Sequence, residues 1–297
     1  MHDDQLHVDL DVVRRLLADQ YPHWVDEPVR EVAGSGTVNA IYRIGAGLAA
    51  RFPLRAADPG AVAEQLRAEA AACLELSTCC PFATPLPITV GHPGHGYPLP
   101  WLVQTWLPGE IATPDSQAAS VTSALDLATL IRAFRAADTR GRHFTGAGRG
   151  GDLRDHDRWM DRCFRESAGL LDVDRLRALW ARLRELPPAG HDVMCHGDLI
   201  PANLLVQGEH LIGVLDGGGF AGADPALDLV AAWHLLDIEA REALRAALGS
   251  GSTEWRRGAA WAFAQAMGLT WYYRTTNPAM SALGVSTLAR LVDDGDL

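Results

Sequence analysis

Residues 194–219 read MCHGDLIPANLLVQGEHLIGVLDGGG, and this stretch decides the interpretation of the whole chain. Its short apolar runs are separated by polar residues, which predicts two antiparallel strands that form a hairpin over residues 193–215. Asp198 and Asn203 lie between the apolar runs, and Asp216 follows the last of them. Because antiparallel strands bring the ends of a hairpin together, the three side chains are expected to converge.

The ligand types in this stretch point to phosphate chemistry. The set contains two carboxylates and one amide oxygen but no thiolate, and His196 is the one imidazole beside it. Mg²⁺ prefers such oxygen ligands and completes its shell with water and phosphate oxygens. A further carboxylate can orient a hydroxyl and accept its proton, as in phosphoryl transfer. The alternative for Asp198 and Asn203 is a hydrogen-bonded turn, since both residue types are common in turns.

The composition is that of an ordinary globular protein. With 297 residues, 48% of them hydrophobic and 21% charged, the chain can form one large domain or two modest ones. The net charge of −11 argues against nucleic-acid binding. It would suit a cationic small ligand, although it can equally serve solubility alone.

The cysteines and the termini bear on the compartment. Five cysteines without a C-x-x-C pair predict free thiols in a reducing cytoplasm. The acidic start, MHDDQLHVDL, predicts no signal peptide. The apolar run 258–273 contains Gln265 and is shorter than a membrane span, so it predicts a buried helix and no membrane partner.

Periodicity divides the chain into a β-rich first part and a helical second part. Helices are predicted over residues 9–20 and 60–76, and the Pro-rich segment 81–100 is expected to contain a turn. Alternating apolar residues predict strands at 29–33, 38–44, 47–53 and 101–107.

The second part carries the helical spacing. Asp224 is placed to cap a helix that Pro225 would begin, and the Gly-rich residues 145–152 predict a loop. The other helices are predicted near 117–138, 156–168, 174–186, 237–248, 253–273 and 279–292. The pattern predicts an α+β fold with a β-rich domain over residues 1–107 and a helical domain over residues 108–297.

The motifs resemble those of a known family. HGDLIPANLL (196–205), followed by GVLDGG (213–218), resembles the catalytic loop and metal-binding turn of the aminoglycoside phosphotransferase family, which has a bilobal protein-kinase-like fold. Weaker similarities extend over nearly the whole chain: SGTVNAIYRIG (35–45) to the nucleotide loop, VQTWLPGE (103–110) to the interlobe hinge, GADPALDLVAAW (222–233) to the helix behind the metal site, and YYRTTNPAM (272–280) to a C-terminal segment.

The resemblance implies a role for each matched residue. Asp198 would be the catalytic base, or the group that orients the substrate hydroxyl, while Asn203 and Asp216 would hold Mg²⁺ ions on the nucleotide phosphates. His196 would be structural, and Asp228 would be a supporting hydrogen-bond acceptor. The backbone groups that would bind adenine or guanine, from ATP or GTP, belong to Thr105, Trp106 and Leu107.

The third strand departs from the family pattern. Arg51 stands where the family usually has lysine, and a guanidinium can bridge two phosphate oxygens. The alternatives are that Arg51 is a solvated strand residue, or that Arg43 or Arg55 is the phosphate-binding cation. Its expected helix partner is Glu69, with Glu64 as the competitor.

The glycine-rich turns also depart from the pattern. GSGTVN lacks the full G-x-G-x-x-G of protein kinases, although its glycines permit close backbone approach and its hydroxyls can bond to phosphate. A ligand-free turn is the alternative for these nucleotide-loop residues: Ser35, Gly36 and Thr37. Gly217 stands where an aromatic residue is common. Three consecutive glycines there would allow a mobile metal turn or would fit a crowded site.

Two residue groups bear on the acceptor. The cluster at Asp152, Asp155, Asp157 and Asp161 would suit a polyamine, but an exposed, salt-bridged helix start is the interpretation we favour. Tryptophans could form an aromatic cage or an apolar macrolide wall, although core packing explains most of them better. These are Trp101, Trp106, Trp159, Trp233 and Trp271.

These expectations combine into one leading hypothesis. The chain would be a cytoplasmic Mg²⁺-dependent O-phosphotransferase, a monomer or weak dimer, that moves the γ-phosphoryl group of ATP or GTP to a hydroxyl of a cationic, aminoglycoside-type antibiotic. Two alternatives stay open at this point. The acceptor could be a macrolide, another antibiotic or a metabolite such as choline or homoserine. The protein could also be a catalytically silent binding protein, for which Arg51 and Gly217 are the evidence.

Overall fold

The computed structural model describes residues 6–32, 38–146 and 148–297. The chain forms two compact units. The first comprises Met1–Thr78, Thr84–Pro108 and Asp216–Gly218, and the second comprises Cys79–Ala83, Gly109–Leu215 and Gly219–Leu297. Among the described residues, no helix has both the length and the apolar character needed to cross a bilayer.

The first unit is built on a five-stranded antiparallel sheet with the strand order β1-β2-β3-β5-β4. The strands are β1 (Val29–Glu31), β2 (Asn39–Ile44), β3 (Leu48–Pro53), β4 (Pro87–Gly91) and β5 (Trp101–Thr105). The helices are α1 (Leu10–Gln20) and α2 (Pro59–Cys79), with a 3-10 turn at Pro22–Trp24. Phe52 stacks on Trp101 with ring centroids 4.9 Å apart, and both are fully buried in the core of this unit.

Strand β4 lies in the Pro-rich segment 81–100, where the sequence predicts only a turn, and that prediction is incomplete. The strand occupies an edge of the sheet. Pro87 can begin it because a proline on an edge need not donate a ladder hydrogen bond. The composition rule that marks proline as a strand breaker therefore fails at this position.

The second unit is mainly helical. Its helices are α3 (Pro114–Gln117), α4 (Val121–Ala136), α5 (Asp157–Glu166), α6 (Val173–Leu183), α7 (Val230–Leu235), α8 (Ile238–Leu248), α9 (Ser252–Tyr272) and α10 (Pro278–Val292). Its 3-10 turns are Leu153–His156, Pro201–Asn203 and Leu227–Leu229, and a further 3-10 turn, Gly217–Gly219, begins in the first unit. Helix α9 is buried almost continuously from Trp255 to Thr270, which confirms the prediction for the apolar run 258–273.

The short strands of the second unit form two small sheets. They are β6 (Glu110–Ile111), β7 (Val193–Cys195), β8 (Leu204–Gln207), β9 (His210–Val214) and β10 (Ala221–Ala223). Strands β6, β8 and β9 form one antiparallel sheet, and β7 pairs with β10.

The predicted hairpin over residues 193–215 is therefore wrong in its first strand. The hairpin consists of β8 and β9, which are joined by the two residues Gly208 and Glu209. A two-residue connection gives β8 its nearest antiparallel partner, and β7 takes β10 instead.

The helix predicted to start at Pro225 begins later. Asp224 caps a turn, because its Oδ1 accepts the N–H of Ala226 at 2.9 Å, and α7 starts only at Val230. The other oxygen of this buried carboxylate, Oδ2, pairs with Arg257 and accepts a hydrogen bond from Trp261. Asp224 thus ties the turn to α9.

Candidate active site

The loop between β7 and β8 brings Asp198 and Asn203 together. The Nδ2 of Asn203 donates to the backbone oxygen of Asp198 at 2.9 Å and to its Oδ2 at 3.2 Å. The N–H of Ile200 also donates to the backbone oxygen of Asp198, and the N–H of Asn203 donates to Ile200. The two predicted residues therefore share one tightly bonded loop.

Asp228 anchors the start of this loop. Its Oδ2 accepts the N–H of His196 at 2.8 Å, and its Oδ1 accepts the N–H of Gly197 at 2.9 Å. Burial raises the pKa of Asp228, while His196 and the two amide donors favour the ionised form. Gly197 has a φ of +82°, a conformation that favours glycine. One buried carboxylate thus fixes the backbone immediately before Asp198.

His196 is held in a single tautomer under the loop. Its Nε2 lies 2.8 Å from the oxygen of Leu215, and a carbonyl can only accept, so the proton is on Nε2. Nδ1 is then free to accept the N–H of Asp198 at 3.3 Å. The ring is buried and stacks on Phe134 with a centroid separation of 6.4 Å. This environment suits the structural role expected for His196.

The carboxylate of Asp198 has two further partners. Its Oδ1 accepts hydrogen bonds from Arg149 Nη2 at 2.9 Å and from Gln265 Nε2 at 2.7 Å. Arg149 also donates to the backbone oxygen of Gly197 at 3.1 Å. The Asp198 side chain is 38% exposed. It is therefore an accessible carboxylate with one oxygen already bonded to two donors.

The sequence predicts neither partner of Asp198 as a functional residue. Arg149 lies in the predicted Gly-rich loop 145–152, where a lone arginine carries no recognisable chemical pattern. Gln265 is visible in the sequence as a polar interruption of an apolar helix, a signal that points to a buried hydrogen-bonding role. Its partner lies 67 positions away in the sequence, and no spacing rule identifies it.

In the first unit, Arg51 meets Asp216. The Nη2 of Arg51 lies 3.1 Å from Asp216 Oδ1; the arginine side chain is 12% exposed and the aspartate side chain 52%. Asp216 adopts a φ of +58°, which a non-glycine residue rarely does and Asp tolerates better than most. A small cleft is lined by Arg51, Cys73, Leu76, Gln104, Asp216 and Gly217. Burial raises the pKa of Cys73 to about 11, so its thiol is neutral near pH 7.

The expected helix partner of Arg51 has a different contact. Glu69 Oε1 accepts a hydrogen bond from Gln65 at 2.8 Å, while the ion pair of Arg51 is with Asp216. The competitor Glu64 is exposed. Glu69 still lies against the metal-turn segment, because a Cβ added at Gly218 would be 3.0 Å from its Cγ.

The structure also gives the surroundings of the rival cations, Arg43 and Arg55, and of the glycine turn. Arg43 packs over the ring of Trp106 at 5.0 Å from the centroid and donates to Ala46, and Arg55 is exposed. A Cβ added at Gly217 would be 3.0 Å from Leu76 Cδ1. This close approach favours the crowded-site interpretation of the glycine turn.

The predicted nucleobase segment is partly engaged by its own sheet. The N–H of Thr105 donates to Leu86, and the N–H of Trp106 donates to Gly47 at 2.7 Å. The hydroxyl of Thr105 accepts the N–H of Leu86. The predicted phosphate-loop residues Ser35, Gly36 and Thr37 lie outside the described residues.

The donor chemistry of the predicted metal residues fits Mg²⁺. Asn203 offers an amide oxygen, and Asp216 offers a carboxylate that is half exposed. Among the described residues there is no group of three or more His, Cys, Asp or Glu that could hold a metal ion. Such a group is not required, because Mg²⁺ commonly binds through one or two protein oxygens together with substrate phosphates.

The acidic cluster is largely paired with arginines. Asp152 pairs with Arg154, Asp157 with Arg184, and Asp161 with Arg177. The hydrogen bond from Arg154 lowers the pKa of Asp152. These pairs support the salt-bridged interpretation of the cluster and weaken it as a polyamine site.

Four of the five tryptophans fall into two groups, and the fifth, Trp106, lies under Arg43. Trp101 and Trp233 are fully buried, as core packing predicts. Trp159 is 37% exposed and packs against Trp271 with a centroid separation of 5.8 Å. Arg162 lies over both rings, so this aromatic pair already holds a cation from its own chain.

Comparisons with known proteins give a consistent result. The sequence profile of APH, the phosphotransferase enzyme family, matches residues 29–261, which is more than half of the chain. No curated protein sequence matches this chain.

Similar solved structures include three antibiotic phosphotransferases. The GDP and kanamycin complex of APH(2")-IIia has 19% identity, covers 94% of this chain and 97% of its own, and gives a TM-score of 0.70. The GDP complex of aminoglycoside 2'-phosphotransferase-IIIa has 18% identity, coverages of 94% and 97%, and a TM-score of 0.68. Macrolide 2'-phosphotransferase MphH from Brachybacterium faecium, as the apoenzyme, has 20% identity, coverages of 94% and 98%, and a TM-score of 0.63. The predicted α+β, protein-kinase-like fold is confirmed.

Proposed function

The chain belongs to the phosphotransferase enzyme family, and from this premise we propose that it transfers the γ-phosphoryl group of a nucleoside triphosphate to a hydroxyl of an aminoglycoside-type antibiotic. The observation that carries the proposal is the loop on which Asn203 binds both the backbone and the carboxylate of Asp198, anchored by Asp228. The aminoglycoside and macrolide phosphotransferases with this fold support the class of acceptor.

In this proposal Asp198 receives the acceptor proton. The hydroxyl oxygen attacks the γ-phosphorus, the bond to the bridging oxygen breaks, the nucleoside diphosphate leaves and the proton moves to Asp198. Oδ1 already accepts from Arg149 and Gln265, whereas the one described donor to Oδ2 is Asn203, at the longer distance of 3.2 Å. Oδ2 is therefore the oxygen with room for the hydroxyl. Most of the catalysis is positioning and charge stabilisation, as is general for phosphoryl transfer.

The nucleotide and metal assignments belong to the same proposal. Asn203 and Asp216 would hold Mg²⁺, which when bound neutralises charge on the phosphate oxygens. Arg51 would contact a phosphate, with Glu69 near the metal turn. Because the amides of Thr105 and Trp106 are engaged, adenine or guanine would use the Leu107 amide or the carbonyl oxygens of this segment. The phosphate loop is assigned to Ser35, Gly36 and Thr37. A cytoplasmic location and a monomeric or weakly dimeric state stay predictions.

A macrolide is the second candidate acceptor. The arginine pairs of Asp152, Asp157 and Asp161 remove most of the charge argument for a polycation. A macrolide phosphotransferase also shares the fold over 94% of this chain. A turnover panel with aminoglycosides and macrolides separates the two, and activity on neither class would remove the antibiotic assignment.

The substitution Asp198→Asn tests the chemistry. We expect kcat to fall by about 10²- to 10⁴-fold, the range for loss of a general base, because an amide cannot accept the hydroxyl proton. The measurement is Mg²⁺-dependent phosphate transfer at saturating substrate. Asp174→Asn is the control, because it removes an exposed carboxylate of the same unit outside the acidic cluster. An unchanged kcat in Asp198→Asn would reject Asp198 as the base, whereas the absence of phosphate transfer in the wild-type protein would favour a silent binding protein.

A further inference from the structure

Gln265 connects the carboxylate of Asp198 to the interior of the second unit. It is the polar residue of the apolar run on α9 and is only 7% exposed. Its Nε2 lies 2.7 Å from Asp198 Oδ1, and its Oε1 lies 3.1 Å from Nε2 of His234 on α7. The Nδ1 of His234 lies 2.8 Å from the hydroxyl of Thr287 on α10. The four residues form a continuous hydrogen-bonded chain across three helices.

The direction of this chain follows from its end at Asp198. A carboxylate oxygen accepts, so the amide of Gln265 must present its NH₂ to Asp198 and its oxygen to His234. An amide oxygen also accepts, so Nε2 of His234 carries the proton. Burial lowers the pKa of His234 to about 4, which leaves the ring neutral and Nδ1 unprotonated. Thr287 must then donate its hydroxyl proton to Nδ1, in preference to its other neighbour, the Leu283 oxygen.

All three hydrogen bonds therefore point toward Asp198. We propose that Gln265 is a positioning residue for Asp198, and that His234 and Thr287 fix the orientation of the Gln265 amide. The inference rests on the proposed function, in which Asp198 is the base. His234 and Thr287 are fully buried, so neither can contact the acceptor directly, and any effect on turnover must pass through Gln265.

The chain has a specific consequence for the carboxylate. Gln265 and Arg149 approach Oδ1 from the protein, which fixes the plane of the carboxyl group and leaves Oδ2 for the acceptor hydroxyl. Without the Gln265 donor, the carboxylate can rotate about its side-chain torsion. The ground-state affinity for nucleotide would remain, while the fraction of complexes with a correctly aligned base would fall. The effect should therefore appear in kcat rather than in the KM for nucleotide.

The test uses two buried threonines in matched environments. Thr287 and Thr270 are both buried, lie on neighbouring helices, and have the hydroxyl oxygen within hydrogen-bond distance of the carbonyl four residues earlier. Only Thr287 contacts His234. Substitution to valine keeps the shape and removes the hydroxyl, whereas substitution to serine keeps the hydroxyl and removes a methyl group.

We expect Thr287→Val to lower kcat by roughly 3- to 10-fold and Thr287→Ser to retain it, with no change in the KM for nucleotide. Thr270→Val should leave kcat unchanged. It should lower the melting temperature by about as much as Thr287→Val does. Gln265→Leu should lower kcat by roughly 10- to 100-fold, the range for losing a hydrogen bond to a charged group. Thr287→Val should then have no further effect on kcat in the Gln265→Leu background, because the connection is already broken.

Nitrogen-15 spectra of the histidine rings test the chain without turnover. In the wild-type protein we expect His234 to be neutral and protonated at Nε2. A proton on Nδ1 would overturn the inference, as would equal kcat effects in Thr287→Val and Thr270→Val. These outcomes are distinct from failure of the proposed function. Full activity in Asp198→Asn would reject the base assignment, whereas an inactive Asp198→Asn with a fully active Gln265→Leu would reject only the positioning role.

Discussion

Arg51 and Asp216 form an ion pair on which the proposed phosphate contact depends. Arg51 is largely shielded, and its 3.1 Å contact occupies only one oxygen of the carboxylate. A guanidinium has five donors, so it can hold Asp216 and still present N–H groups to a phosphate. An arginine in place of the usual lysine is therefore compatible with phosphate binding.

Removal of the Arg51 charge should weaken nucleotide binding. We expect Arg51→Met to raise the nucleotide Kd by about 10- to 100-fold, since a charge-assisted hydrogen bond contributes about 1.5–3 kcal/mol. Arg51→Lys should retain most of the affinity. Titration calorimetry with the nucleotide and Mg²⁺ measures the change, and Arg55→Met, at an exposed cation of the same unit, is the control. A larger loss in Arg43→Met or Arg55→Met would assign the phosphate contact to a rival arginine.

At the scale of elements, local sequence predicts most helices and strands but not their partners. Helix α9 follows from its apolar run, whereas β4 escapes prediction because proline tolerance depends on edge position. Strand β7 is misassigned to the hairpin because its partner β10 comes later in the chain. The motif predicts the loop that joins Asp198 and Asn203, but the donors to Asp198 come from distant elements. These relationships are tertiary and leave no local periodicity.

The close packing of α9 against α10 depends on a glycine, Gly284. Gly284 lies where an added Cβ would be 2.8 Å from the backbone oxygen of Ala266 and 2.7 Å from Thr270 Oγ1. Glycine normally costs a helix about 1 kcal/mol relative to alanine. Here backbone contact reverses the sign, because the helices must separate to admit a methyl group.

We expect Gly284→Ala to lower the free energy of unfolding by about 1–3 kcal/mol, the range for overpacking in a core. Urea denaturation followed by helical circular dichroism is the measurement. Gly295→Ala provides the control, since a Cβ there would meet nothing within 4 Å and should change the stability by less than about 0.5 kcal/mol. A stabilised Gly284→Ala would show that α9 and α10 leave room for a methyl group at Gly284.

At the scale of the whole molecule, the family motif predicts the fold class but not how the chain is divided into units. Residues Asp216–Gly218 lie beyond residue 108 in sequence and belong to the first unit, whereas Cys79–Ala83 belong to the second. The Asp216–Gly218 segment belongs to the first unit because it contacts three residues there. Arg51 contacts it through charge, and Leu76 and Glu69 through close packing. A boundary drawn at one position in the sequence cannot represent such an exchange.

The response of the molecule to acid should come from buried histidines rather than from its net charge of −11. Stability depends on pH only through groups whose pKa differs between the folded and unfolded states. Burial lowers the pKa of His234 from 6.5 to about 4, and burial also lowers that of His156. As the pH falls, such a histidine becomes protonated in the unfolded chain at a higher pH than in the folded chain. The folded state is therefore fully favoured above pH 6.5 and loses stability as the pH falls toward 4.

For His234 alone, the loss between pH 7 and pH 5 is about 2 kcal/mol, calculated from these two pKa values. We expect His234→Gln to unfold with a smaller pH dependence over that interval, even if its stability at pH 7 is lower. Urea denaturation at pH 7, 6 and 5 measures the slope, and His7→Gln, at an exposed imidazole, is the comparison variant. Equal slopes in His234→Gln and the wild type would mean that the pKa of His234 is the same in the folded and unfolded states, so that the ring would not stay neutral down to pH 5.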